Sequence, residues 1–140
     1  MAIRNNVTIE QIRPQLTWRL RNEVLYPNEP LHAMAMDEDN QGLHFGAFTA
    51  DKLVGVISLF QKANDFQFRK FAISSAFQNQ GIGALMLQYI TEFAQLQGGT
   101  RLWCNARLSA VNFYQKAGFR TTGNTFTRNN ITFEVFEKEL

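Results

Sequence analysis

A chain of 140 residues with 14 lysines and arginines and 12 aspartates and glutamates carries a formal charge of +2, and its scattered cations exclude a basic stripe for nucleic acid. The length suits one domain, residues 1–140, large enough to bury a core without metal or disulfide. A lone cysteine, Cys104, excludes an internal disulfide, and no window approaches the roughly 18–20 apolar residues of a membrane span, so a soluble, cytoplasmic protein without membrane partners is expected.

Weak alternation over residues 3–9 predicts a first strand. Ile12, Leu16, Leu20 and Val24 then recur at near-helical spacing and predict a helix over about 10–25, stopped by Pro27 and Pro30. The stretch LHAMAMDEDNQG reads as either helix or loop, ending in a turn at Asp37–Gly42. Strands are predicted at 43–50, 53–60 and 66–73, with the short turns of antiparallel hairpins at Asp51-Lys52 and Ala63-Asn64-Asp65.

After Ser75 the period changes. Ile82, Leu85, Met86, Tyr89, Ile90, Phe93 and Ala94 trace one helical face, and Gly98-Gly99 stops it. A strand at 101–106 follows, then a short helix at about 110–117 with Ser109 as its N-cap, ended by Gly118. Two last strands, near 119–127 and 131–138, complete an α+β layout with one βαβ crossover.

The turn that opens the central helix, Gln78-Asn79-Gln80-Gly81-Ile82-Gly83, is the most informative stretch. A helix start offers free N–H groups and a favourable dipole for an anion, and glycine lets an oxygen approach the backbone. The same glycines are equally suited to relieving crowding between helix and sheet. Neither a Lys-Ser/Thr P-loop nor a dinucleotide fingerprint fits, because Met86 occupies the third small position and residues 97–108 contain no acid.

The pattern Gln-x-x-Gly-x-Gly resembles the coenzyme A pyrophosphate loop of the GNAT superfamily of acyl-CoA-dependent N-acyltransferases. About thirty residues later, Asn112, Phe113, Tyr114, Gly118 and Phe119 resemble that superfamily's Asn-x-x-x-Phe-Tyr-like helix and following Gly-Phe. The resemblance implies a single domain with a mixed, mostly antiparallel, twisted sheet of about six or seven strands flanked by three or four helices, with the crossover carrying the loop. It implies acetyl-CoA as acyl donor and a small-molecule primary amine as acceptor, joined by direct attack in a ternary complex.

The resemblance also implies roles. Main-chain groups of Phe71, Ala72 and Ile73 would pair with pantetheine and polarise the thioester, on a strand that splays from its neighbour. The amides of Gln78, Asn79, Gln80, Gly81, Ile82, Gly83 and Ala84 would hold the pyrophosphate. Asn112, and after it Asn105, would contact the cofactor arm, and Tyr114 would protonate the thiolate, since a phenol with pKa about 10 keeps its proton at pH 7. From periodicity alone Tyr114 reads rather as a core or interface tyrosine.

Glu23, His32, His44 and Glu134 are all candidates for the base. Glu23, with Arg21, lies on the predicted first helix, where members of the family often form part of the acceptor site, and His44 lies in a predicted strand. Cys104 lacks a locally spaced histidine for covalent chemistry. A non-catalytic acyl-CoA sensor or partner-binding module on the same fold is the alternative. A divergent nucleotide-binding domain ranks third. The sequence leaves the oligomeric state open, with a twofold homodimer as the commonest default.

Overall fold

The period-2 runs between residues 43 and 73 form three consecutive antiparallel strands: β2 (Leu43–Thr49), β3 (Lys52–Lys62) and β4 (Asp65–Ile73). The computed structural model describes residues 6–140. The β2–β3 turn holds Ala50 and Asp51 at positive φ, matching the handedness of the strand twist. Ahead of these, β1 (Val7–Ile12) pairs antiparallel with β2, from Val7 opposite Thr49 to Ile12 opposite His44. Of the strand expected at 3–9, residues 3–5 lie outside the described residues.

After β4 the chain crosses through α2 (Ile82–Leu96) to the parallel strand β5 (Arg101–Arg107). The short helix α3 (Val111–Lys116) leads to β6 (Arg120–Arg128), and β7 (Ile131–Glu139) inserts between β5 and β6. The result is one seven-stranded mixed sheet in the order β1-β2-β3-β4-β5-β7-β6, as the α+β reading expected.

Helix α2 lays Ile82, Met86, Leu87, Ile90 and Ala94 on one face of the sheet, against Phe45, Ile57, Leu59, Phe66 and Phe68. Burying a side chain of that size contributes about 1.5–3 kcal/mol. Tyr114 and Phe119, at α3, close the same core at its β5–β7 end. A smaller cluster on Leu20, Val56 and Ala72 includes Ile12, Val24, Leu25 and Leu53.

The helix expected over residues 10–25 is not a single element. Ile12 still belongs to β1, because its backbone completes the ladder with His44. Pro14, which lacks an N–H and suits only a first turn, opens a 3-10 turn to Thr17. One α-helical turn follows, α1 (Trp18–Leu20), and then a wider π turn over Arg21–Leu25, closed by the Tyr26 N–H donating to the Arg21 carbonyl. LHAMAMDEDNQG likewise resolves into two 3-10 turns, Leu31–Met34 and Asp37–Gln41. Ser109 does not cap α3: it sits within a 3-10 turn, and the cap position falls on Ala110.

Candidate functional site

Strand β4 is paired on both sides only at its start. Asp65, Phe66 and Gln67 pair with Arg101, Leu102 and Trp103 of β5, after which the two strands part. From Phe68 to Ile73, β4 pairs with β3 alone, while β5 continues along β7 to Arg107. A wedge between parallel strands thus leaves backbone groups of the second half of β4 without a β5 partner.

A bulge within this half changes the phase of the strand. The β3–β4 register slips between Val56 and Ser58, and Lys70 sits there at φ +54°. Phe68 and Phe71 therefore meet on the α2 side, 5.9 Å apart and edge-on. The intervening Arg69 and Lys70 find other partners: Arg69 pairs with Glu38 at 3.3 Å, and Lys70 donates to the Tyr26 hydroxyl.

The loop after β4 is braced from inside. The Gln78 amide donates to the Ile73 carbonyl at 3.0 Å, and that of Gln80 to the Ala76 carbonyl at 3.3 Å. A 3-10 turn at Ser75–Phe77, Asn79 at φ +62° and Gly81 at φ +85° bend the backbone into α2. Glycine is favoured at position 81, since a Cβ costs about 1 kcal/mol at that φ. The first helical bond is from the Leu85 N–H to the Gly81 carbonyl. Among the described residues, the N–H groups of Asn79, Gln80, Gly81, Ile82, Gly83 and Ala84 make no hydrogen bond. Six free donors at the start of a fifteen-residue helix fit an anionic pyrophosphate. Gly83 has a second role, because a Cβ there would lie 3.3 Å from Phe113 and 3.4 Å from Phe71.

Tyr114 lies at the other side of the wedge, 8 % exposed. Its ring stacks on Phe136 at 5.4 Å and meets Phe113 and Phe119 edge-on. Its phenol is pushed well above the ordinary value, by burial first and then by Cys104. Burial pushes the Cys104 thiol up to about 12, more than the neighbouring Tyr114 hydroxyl lowers it. Both groups keep their protons at neutral pH. Cys104 is thus no thiolate nucleophile, whereas Tyr114 holds a phenolic proton in an apolar setting.

The remaining predicted residues are dispersed. Asn105 is exposed on β5, two positions past the last pair with β4, and Asn112 is exposed on α3. Glu23 is exposed and pairs with Arg19 at 3.2 Å. Glu134 accepts from the Gly123 N–H at 2.8 Å, within the irregular part of the β6–β7 ladder.

His44 is 2 % exposed, inside a polar cluster. Arg21 grips Asp39 through both terminal nitrogens at 3.0 and 2.9 Å, and donates to the Met34 carbonyl and the Ser58 hydroxyl. The His44 Nδ1 meets Ser58 Oγ at 2.7 Å and Nε2 meets the Asp39 carbonyl at 2.8 Å. A carbonyl only accepts, so Nε2 carries a proton. The arrangement that satisfies both of its contacts has Ser58 accepting from Arg21 and donating to Nδ1. His44 then has no lone pair left for an incoming amine. Burial alone would raise the Asp39 carboxyl, but the Arg21 and Met36 hydrogen bonds and the Arg21 charge hold it below the ordinary carboxylate value.

Two residues not foreseen from the sequence stand beside the bulge. Lys70 and Tyr26 line a cavity of about 250 Å³ with Glu29, Met34 and Met36. The signal for the bulge was present: apolar phase runs Phe66, Phe68, then Phe71, Ile73, skipping one position.

Comparison with known proteins agrees with this architecture. Residues 9–140 match the family model for the acetyltransferase (GNAT) domain. The uncharacterized N-acetyltransferase YitI of Bacillus subtilis (strain 168) is 23 % identical over 127 residues, covering 84 % of this chain and 85 % of YitI. The IAA acetyltransferase from Bacillus cereus ATCC 14579 superposes with a TM-score of 0.75 at 23 % identity, over 96 % of this chain and 99 % of that one. A GNAT family acetyltransferase from Elizabethkingia anophelis, solved with acetyl-CoA bound, superposes at 0.79 with 20 % identity, over 97 % and 99 %. At such identities the superpositions speak for the fold alone, whereas the family model spans nearly the whole described chain. The chain belongs to the GNAT acetyltransferase family.

Proposed function

We propose that this protein transfers the acetyl group of acetyl-CoA to the primary amine of a small-molecule acceptor, by direct attack while both substrates are bound. The observation that carries the reading is the alignment of three features along one wedge: a loop with six free N–H donors, an unpaired strand edge and a buried phenol that keeps its proton.

In this reading the amides from Asn79 to Ala84 hold the pyrophosphate, with Gln78 fixing the loop to β4 rather than touching phosphate itself. Backbone groups of Phe71 and Ala72 hold the pantetheine arm and polarise the thioester carbonyl. The Ile73 carbonyl is already used by Gln78, which leaves Ile73 a lesser share. Asn112 and Asn105 flank the arm. Tyr114 gives its proton to the departing thiolate, and its apolar surroundings keep that proton available across the neutral range. His44 serves the fold in this scheme and not proton transfer. Glu23, tied to Arg19, remains an acceptor-side carboxylate. Members bearing similar domains bind acetyl-CoA, as the Elizabethkingia anophelis structure does, which supports the choice of donor.

The test is a thermal-shift series with acetyl-CoA, followed by thiol release with a panel of amines. Saturating acetyl-CoA is expected to raise the melting temperature by several degrees, since a ligand at 100 times its Kd contributes about 2.7 kcal/mol. No shift, or no thiol release with any amine, sinks the reading.

A further inference from the structure

The cavity beside the β4 bulge points to the chemistry of the acceptor. Its cationic member is Lys70, whose ammonium lies 4.5 Å from the centre of the Tyr26 ring and donates to the Tyr26 hydroxyl. Among the described residues no carboxylate comes within ion-pair distance of Lys70, although Glu29 lines the same cavity. Arg21, the other cation there, already has its charge paired by Asp39. Lys70 therefore presents a positive charge without an internal counter-charge.

The way Lys70 is held argues that its position matters. A lysine at φ +54° adopts a backbone conformation costly for any residue with a Cβ, by roughly 1–2 kcal/mol. Strain of this sort persists where the surroundings fix it, and it gathers at ligand sites. The π turn at Arg21–Leu25 adds a second irregularity that sets Tyr26 against Lys70. Lys70 also directly precedes the Phe71-Ala72 backbone assigned above to the thioester.

We infer that this cavity receives the carboxylate of an acceptor that carries both an amine and a carboxylate, an amino acid, with Lys70 and Tyr26 as its anchor; the inference rests on the acetyltransferase reading. Tyr26 accepts a hydrogen bond from Lys70 and so keeps its own O–H to donate. Together they offer a carboxylate one charge-assisted and one neutral donor. Met34 and Met36 supply an adaptable apolar wall for a side chain. The neutral amine of the bound acceptor attacks the thioester carbonyl. An N–C bond forms and the C–S bond breaks; the amine's proton leaves to water, the thiolate takes the Tyr114 proton, and water returns a proton to the Tyr114 oxygen.

The experiment uses the purified full chain with acetyl-CoA and the twenty standard amino acids, each paired with its carboxamide. Thiol release gives kcat/KM, and thermal shift of the coenzyme A-loaded protein gives binding. At least one amino acid is expected to exceed its amide by tenfold or more in kcat/KM. K70M is expected to cut that preference at least tenfold, and Y26F severalfold, with melting temperatures of the free variants reporting that they fold. Amides used as well as acids, or a preference untouched in both variants, overturns the inference while leaving the acetyltransferase intact. Amino acids that bind in a Lys70-dependent manner without any thiol release uphold the carboxylate site and defeat the acetyltransferase instead. Acids that neither bind nor react overturn the site.

Discussion

Two buried polar clusters in this molecule look alike on paper and differ in what they can do. In the first, Arg21, Asp39, Ser58 and His44 exchange hydrogen bonds that leave the Arg21 Nε as the one buried nitrogen of the four without a partner. In the second, Tyr114 and Cys104 have chiefly each other, among aromatic rings. A densely bonded network braces: it ties the N-terminal helical segment and the 3-10 turn at Asp37–Gln41 to β2 and β3. A sparsely partnered phenol that keeps its proton beside an open wedge is instead the group we propose as the acid.

The contrast breaks most sharply at Asp39. Asp39→Asn leaves the Arg21 guanidinium buried without its counter-charge and is expected to cost about 3–5 kcal/mol in urea unfolding. The pH dependence follows from the same pair. Its folded-state carboxyl lies below the unfolded value, so the stability it contributes is complete above that value and drains away as pH falls below about 4. Wild-type melting temperature should fall there more steeply than that of the Asn variant.

Tyr114→Phe is expected to do the reverse. It removes one hydroxyl from an apolar site, so the fold should hold, while kcat falls on the order of 100-fold with little change in the Km for acetyl-CoA. A variant that loses stability and keeps its kcat would assign Tyr114 to the core. The smallest effect is placed at Gly81, where Gly81→Ala strains a φ of +85° by about 1 kcal/mol and should weaken coenzyme A binding severalfold by calorimetry.

How much of this was legible in the sequence varies with the range of the forces involved. Strands β2 to β5 and helix α2 follow from apolar periodicity, which local residues carry, and the phosphate-loop candidate from glycines and position. The pairing of Arg21 with Asp39 gave no such sign, and Arg21 read instead as an acceptor-side neighbour of Glu23. They are eighteen residues apart, and charged residues read as solvated until the fold brings them together. The first helix was misjudged because Ile12 fits a helical phase and a strand phase equally. Only its ladder with His44 decides between them. The base candidates suffered in the same way, since a histidine's free lone pairs depend on partners such as Ser58, fourteen residues distant.

The β4 bulge has a consequence for how this chain can vary. Because one extra residue at Lys70 turns the strand over, the side chains before and after it obey opposite parity. An insertion or deletion of one residue between Phe68 and Ile73 would invert every position that follows, carrying Ala72 and Ile73 to the wrong faces and the loop with them. The hairpin turns can gain or lose residues at modest cost. This six-residue stretch is instead a fixed count, and sequences that keep the chemistry are expected to keep its length even where they keep none of its letters.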